Sequence, residues 1–415
     1  MLSAMLSVRS LLLAIFMLMA GSGFLATLTS VRLERAGSSA LFIGVVGTAY
    51  FLGLVIGSLR VSRLIRRVGH IRAFAAFVSL FSASTLTYAI HQDPVLWAGL
   101  RFVDGLCVAG VFVCLESWLN ERAEARSRGS VLASYMIALY AGQAIGQFLL
   151  NLSETKPSMP FLVASILISL AAIPVVLTRI SAPPPDEGTP LSIRRLYATS
   201  PLGIVGATLT GVMLGAFYAL GAVHVRRLGM DLSETALFMS IVILGGIALQ
   251  WPLGRLSDRF DRRRVIVVAF GGALAASIAL ALIDGPGPLL LTFGALFGGL
   301  SFALYPLCVA HTNDHLAPEE RVAASGGLVL LYSIGAAMGP LAGAMAMTLI
   351  GPSGLFAVIG ACAGMALAFG AWRQLRGLPV PAELQQSYQV LPRTTPMAAA
   401  LDPLASDRAD SREKP

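Results

Sequence analysis

Ionisable side chains are rare inside the apolar runs of this sequence, so each one found there is a candidate for chemistry. Arg101 and Asp104 stand one helical turn apart and can pair as i, i+3 neighbours. A charge at membrane depth costs roughly 2.5–3.5 kcal/mol on insertion scales, which makes such groups functional candidates by default. Dehydration favours the protonated acid and Arg101 favours the carboxylate. That balance would allow proton coupling if the pair separates in a working cycle. A pair that stays closed would only stabilise packing. Glu116, near the end of the same run, reads either as a solvated helix-end carboxylate beside Arg122 or Arg126, or as a gating residue.

Uncharged polar groups could hydrogen-bond a substrate. Gln143 and Gln147 share one helix face. Gln250 and Trp251 lie together at the end of another run, and Tyr50, Tyr140, Tyr218 and Tyr305 lie within runs of their own. Single tyrosines also serve as packing residues or interface anchors.

Other chemistries find no support. Cys107, Cys114, Cys308 and Cys362 sit in apolar runs with no CxxC spacing and read as small buried hydrophobes. His311 and His315 could share a helix face, but the HExxH glutamate is missing, so no metal is expected. There is no Walker-type phosphate loop and no G-x-S-x-G element. The expectation is a protein that is not an enzyme and needs no cofactor.

The elements that must position these residues follow from composition. Of 415 residues, 13% are charged and 56% hydrophobic, with a mean hydropathy of +0.76. Soluble domains carry about 25% charged residues. The deficit excludes a cytosolic enzyme, a disordered chain and a nucleic-acid-binding domain. Apolar residues run unbroken for about twenty positions, the length a helix needs to cross roughly 30 Å of hydrocarbon. A membrane β-barrel would alternate polar and apolar residues instead.

Twelve spans are predicted, near 10–31, 40–60, 73–91, 95–118, 130–151, 160–179, 202–224, 235–253, 265–283, 288–310, 322–349 and 353–373. The fold class is an all-α membrane protein with twelve transmembrane helices in two pseudo-symmetric six-helix bundles. The expected division is 1–180, a linker over 181–200 that includes Pro183-Pro184-Pro185, a second bundle over 201–374, and a largely disordered tail over 375–415.

Net charge is +8, nearly all from arginine. Arg60, Arg63, Arg66, Arg67 and Arg72 follow the second span, Arg122, Arg126 and Arg128 the fourth, and Arg255, Arg259, Arg262, Arg263 and Arg264 the eighth. The opposite side holds only Arg32, Arg35, Lys156, Arg226 and Arg227. Positive-inside bias then puts both termini and the linker in the cytoplasm.

The chain also repeats. A shift of 193 residues carries Gly142 and Gly146 onto Gly335 and Gly339, and Asn120-Glu121-x6-Arg128 onto Asn313-Asp314-x6-Arg321. A shift of 192 carries 67–72 onto 259–264. Six spans per half means that both halves enter the membrane in the same sense, with a substrate path between them. Gly335 and Gly339 allow close helix approach, and Pro340 can kink its span.

The segment Gly254-Arg255-Leu256-Ser257-Asp258-Arg259-Phe260-Asp261-Arg262-Arg263-Arg264 resembles the G-x-L-x-D-R-x-G-R-R signature of the major facilitator superfamily, with Asp261 in place of the second glycine. The N-terminal copy departs further, with Ser62 for the first glycine and Arg66 for the aspartate. Arg101-x3-Gly105 is similar to the helix-4 motif that the family links to proton coupling. Gly326-x8-Gly335-x3-Gly339-Pro340-x2-Gly343 resembles the helix-5 motif of drug/proton antiporters, but lies in the other half; helix 5 has Gln147 where that motif has proline. The resemblance implies gating through Gly254, Asp258, Arg259 and Arg262. It implies a monomeric secondary transporter of the bacterial inner membrane, in contact with lipid, moving a small solute by alternating access, with protons as a coupling ion. A uniporter is the near alternative and a membrane sensor or scaffold a more distant one.

Overall fold

The computed structural model describes residues 2–123, 128–154, 156–178, 192–317, 320–376 and 385–395. The proline-rich part of the linker and most of the tail lie outside them. The first half contains α1 (Leu2–Ser22), α2 (Leu25–Arg35), α3 (Ala40–Val68), α4 (His70–Ile90), α5 (Pro94–Arg122), α6 (Arg128–Gln147), α7 (Met159–Leu170) and α8 (Ala172–Val176). A short helix α9 (Ile193–Thr199) leads into the second half. There follow α10 (Pro201–Arg227), α11 (Leu232–Arg259), α12 (Arg262–Leu282), α13 (Pro288–Asn313), α14 (Arg321–Ile350) and α15 (Gly354–Arg376).

Eleven stretches among the described residues are long and apolar enough to cross a membrane, with α1–α2 and α7–α8 each acting as one broken span. The fifth expected span is occupied by α6 and a 3-10 turn, Phe148–Ser153. Helix starts follow local chemistry. Asp93 accepts from Val95 N at 2.9 Å ahead of Pro94, and Asp231 with Glu234 forms a reciprocal capping box.

The repeat is structural. Helix α1 packs on α6 and α3 on α5, and their counterparts α10 on α14 and α11 on α13 do the same. The repeated glycines make this contact. A Cβ at Gly142 would stand 2.5 Å from the Phe16 carbonyl oxygen, and one at Gly335 2.2 Å from that of Thr208. The two halves meet where α3 packs on α14, α6 on α11 and α2 on α10.

The repeat also explains the missing glycine of the signature. Gly69 joins α3 to α4 at φ +88°, a conformation that favours glycine. Its counterpart Asp261 has φ −53° and accepts from Arg263 N at 3.0 Å, capping α12. That turn needs no left-handed residue.

Within the tail, residues 385–395 depart from the disorder expected there. Residues 385–395 are not free chain: Leu391 and Thr395 are buried, and the segment lies against both halves. It carries hydrogen-bonding side chains that match groups at that end of the bundle, which composition does not show.

Candidate functional site: a central cavity between the halves

A cavity lies between the bundles, with about 1110 Å³ of non-protein space when the solvent it opens to is included. Gly23, Tyr50, Arg101, Tyr140 and Gln143 line it from the first half, and Tyr218, Ala219 and Tyr332 from the second. Pro392, Arg393 and Thr394 of the tail complete its wall. The charge pair, the two glutamines and the tyrosines singled out in the sequence fall around this space unequally.

Arg101 faces the cavity, with its guanidinium carbon 4.3 Å from the Tyr50 ring centre. Asp104 is fully buried behind it. Arg101 Nη1 stands 3.6 Å from Asp104 Oδ2, so the pair is loose. Two hydroxyls on α4 bind Asp104 more closely. Ser84 Oγ donates to Oδ1 at 2.6 Å and the Tyr88 hydroxyl to Oδ2 at 2.7 Å. Tyr88 is itself fixed by stacking on Phe161 at 5.5 Å. Ser84 and Tyr88 are an i, i+4 polar pair within an apolar span, the signal that could have found them.

Glu116 is fully buried, which overturns the solvated reading. The Tyr135 hydroxyl donates to Oε1 at 2.7 Å. Thr394 and Thr395 of the tail also donate to this carboxylate.

The glutamines separate. Gln143 lines the cavity. Gln147 accepts from Thr27 Oγ1 at 2.9 Å and donates to the Gly23 carbonyl at 3.2 Å. It thereby serves the carbonyl exposed where α1 gives way to α2, and does not line the cavity.

Three further expected cavity residues, besides Gln147, are corrected. Trp251 is 61% exposed on the outer surface, where Arg255 covers its ring at 3.8 Å. Gln250 is buried and donates to the Phe302 carbonyl at 3.4 Å. Pro306, four residues on, lacks the N–H that this carbonyl would receive in a regular helix. Tyr305 is buried away from the cavity, its ring 5.2 Å from that of Tyr332. Tyr332, absent from the sequence-based candidates, lines the cavity, and the Phe302 ring packs beside that lining, 5.6 Å from Tyr140 and 6.1 Å from Tyr218.

At the end carrying the arginine-rich connections, Arg262 is 1% exposed and its Nη1 donates to both Asp314 oxygens, at 2.6 and 2.7 Å. It also reaches Asp258 at 3.1 Å and the Gln386 carbonyl at 2.6 Å. Burial raises the Asp314 carboxyl above the usual carboxylate range, with the Arg262 guanidinium opposing it. Gln386 N donates to Asp314 and Tyr388 N to Asp258, at 2.9 and 2.8 Å. Gly254 leaves room for the Tyr388 ring, which a Cβ would meet at 2.2 Å. Arg259 is exposed. In the first half the matching positions are Arg66 and His70, and His70 faces Trp118 at 6.2 Å.

At the opposite end Arg227 on α10 pairs with Glu34 on α2 at 2.6 Å. Between the two ends, Pro340 of α14 meets α3. A Cβ at Gly44 would stand 2.8 Å from the Pro340 carbonyl oxygen, and Thr48 Oγ1 donates to the Ala337 carbonyl at 2.9 Å. Gly339 packs on α10, where a Cβ would stand 2.2 Å from the Val212 carbonyl oxygen.

Comparison with known proteins agrees with this geometry. The Major Facilitator Superfamily model matches residues 11–311. The chain is 30% identical over 356 residues to an uncharacterised MFS-type transporter, YcaD, of Escherichia fergusonii, covering 85% of this chain and 92% of that one. The YcaD of Salmonella enteritidis is 29% identical over the same shares. Among solved structures, the nucleoside transporter NupG superposes with a TM-score of 0.73 at 13% identity, over 90% of this chain and all of that one. A bacterial homologue of the lysosomal transporter Spinster, in an inward-facing and occupied conformation, gives 0.70 at 15% identity, over 92% of this chain and 98% of that one.

Proposed function

The chain belongs to the major facilitator superfamily, and on that premise we propose that it is a secondary transporter moving a small solute across the bacterial inner membrane by alternating access. One observation carries the reading: a cavity lined by both repeat-related halves, crossed at one end by the Arg227–Glu34 pair and at the other by the tail. The arginine bias puts the tail end in the cytoplasm, with both termini there. The closed Arg227–Glu34 end is then periplasmic.

Each half is a compact bundle, and the α3–α14 contact is made of small residues around Pro340. Smooth helix faces of this kind let one bundle rock against the other about a fixed central site. The working unit is the monomer, since both halves of the cavity come from one chain.

Protons are the coupling ion in this reading, with Asp104 or Glu116 as the titrating carboxylate. One observation favours uniport instead: Arg101, not Asp104, faces the cavity, and both Asp104 oxygens are already held by Ser84 and Tyr88. Reconstituted vesicles decide between them. Solute accumulation driven by an imposed pH gradient supports coupling. Equilibration without accumulation, in either gradient direction, supports uniport. A thermal-shift screen of solutes identifies the cargo, because a ligand that binds only the folded state must stabilise it.

A further inference from the structure

Among the described tail residues, Arg393 is the one whose side chain lies over the aromatic rings at the cavity. Its guanidinium carbon lies 4.4 Å from the Phe302 ring centre and 5.7 Å from that of Tyr332. Its Nη2 donates to the Tyr218 hydroxyl at 3.2 Å. Tyr140, also in the cavity lining, has its ring 5.6 Å from Phe302. The faces of these rings offer negative quadrupole charge and a hydroxyl acceptor, the recognition chemistry of an organic cation.

We propose that this cage is the binding site for a small organic cation, guanidinium or amine, and that Arg393 fills it as a tethered competitor. The proposal rests on the transporter reading above and names its substrate class.

Three features separate a competitor from a casual contact. The segment on both sides of Arg393 is pinned. Upstream, Gln386 and Tyr388 hold Asp314, Arg262 and Asp258 in the second half; downstream, Thr394 and Thr395 hold Glu116 in the first. The strap therefore bridges the two bundles at one end while delivering one cation to the centre. The cavity's other cation, Arg101, is turned onto Tyr50 and Asp104 and leaves the cage free of competing positive charge. Last, the occupant is covalently attached. A tethered group acts at an effective concentration of about millimolar, enough to hold a weak site and to yield to a tighter ligand. A cation arriving from the tail side would displace Arg393, release the strap and free the two halves to move. Such a device makes opening at that end depend on cargo.

The test is binding to purified protein in detergent, followed by calorimetry, with agmatine and tetraethylammonium as cation probes and uridine as a neutral comparator. The proteins are the full chain, a truncation ending at Arg376 and full-length Arg393→Ala. The proposal expects both cations to bind the truncation about tenfold or more tightly than the full chain, with Arg393→Ala between them and uridine indifferent to the tail. A synthetic peptide of residues 385–395 should bind the truncation in competition with agmatine, and its Arg393→Ala version should not compete. Phe302→Leu in the truncation should lose cation binding; Tyr218→Phe, which keeps the ring, should weaken it less and serves as the folded control. Equal affinities in all three proteins overturn the competitor. Peptide binding that agmatine fails to displace overturns the cation site. Cation binding with the expected tail dependence, but with no flux in vesicles, sinks the transporter reading and leaves this site standing.

Discussion

Arg227 Nε and Glu34 Oε1 lie 2.6 Å apart although 193 residues separate them, and they tie α10 of one half to α2 of the other. Both side chains are partly open to solvent, so the pair contributes about 0–1 kcal/mol. That is small for folding but enough to move a two-state equilibrium several-fold. Glu34→Gln should raise the accessibility of a cysteine placed at Gly47 to a membrane-impermeant reagent from that end, with little change in melting temperature. The charge swap Glu34→Arg with Arg227→Glu should return accessibility to the starting level.

Asp104 illustrates a different balance. Asp104→Asn removes the counter-charge of a buried guanidinium and disturbs two hydroxyl donors. Breaking a buried pair from one side costs about 3–5 kcal/mol, so expression and thermal stability should fall together. The double variant Arg101→Leu with Asp104→Leu should recover most of that loss. Tyr88→Phe, which removes one donor only, should cost about 1–2 kcal/mol in a thermal or denaturant series.

Arg262 and Asp314 form the most enclosed ion pair at the arginine-rich end, each 1% exposed in its side chain. Arg262→Lys keeps the charge and one nitrogen for Asp314 but loses the second nitrogen, which reaches Asp258 and the Gln386 carbonyl. Limited proteolysis should then cut within 385–395 faster than in the parent protein. An unchanged cleavage rate would show that the tail is held without Arg262.

Gly335 and Gly339 sit against the backbone of α10. An alanine at Gly335 would bring its Cβ to within 2.2 Å of the Thr208 carbonyl oxygen. Overpacking of this kind costs about 1–3 kcal/mol, and Gly335→Ala should lower the melting temperature without altering which probes bind. Trp251→Ala is the contrasting case. Its ring lies on the outer surface under Arg255, so binding and flux should stay at parent levels.

The spans, the break into halves and the repeat are properties of spacing, and spacing survives in a linear string. A run of apolar residues long enough to cross hydrocarbon leaves a helix as the form that satisfies its own backbone groups. The Arg101–Asp104 pair was readable for the same reason, since i, i+3 neighbours meet on any helix. The choice of cavity residues was not. Tyr140, Gln143 and Tyr218 line the cavity, whereas Gln250, Trp251 and Tyr305 do not. Every one of them lies on a helix, and which face turns inward depends on the neighbouring helices. Gln250 answers the carbonyl that Pro306 leaves open on α13, a need that no residue near Gln250 announces. Ser84 and Tyr88 were overlooked because their partner belongs to the next helix. The tail shows the limit most clearly. By composition it is polar, proline-containing chain, and polar chain without an apolar face reads as disordered. What holds residues 385–395 is a set of buried acceptors and rings, Glu116, Asp258, Asp314 and Phe302, contributed by three helices and a turn from both halves. The sequence alone determined a two-bundle helical membrane protein; tertiary structure decided what stands at its centre, because a binding surface assembled from distant segments exists only once those segments have packed.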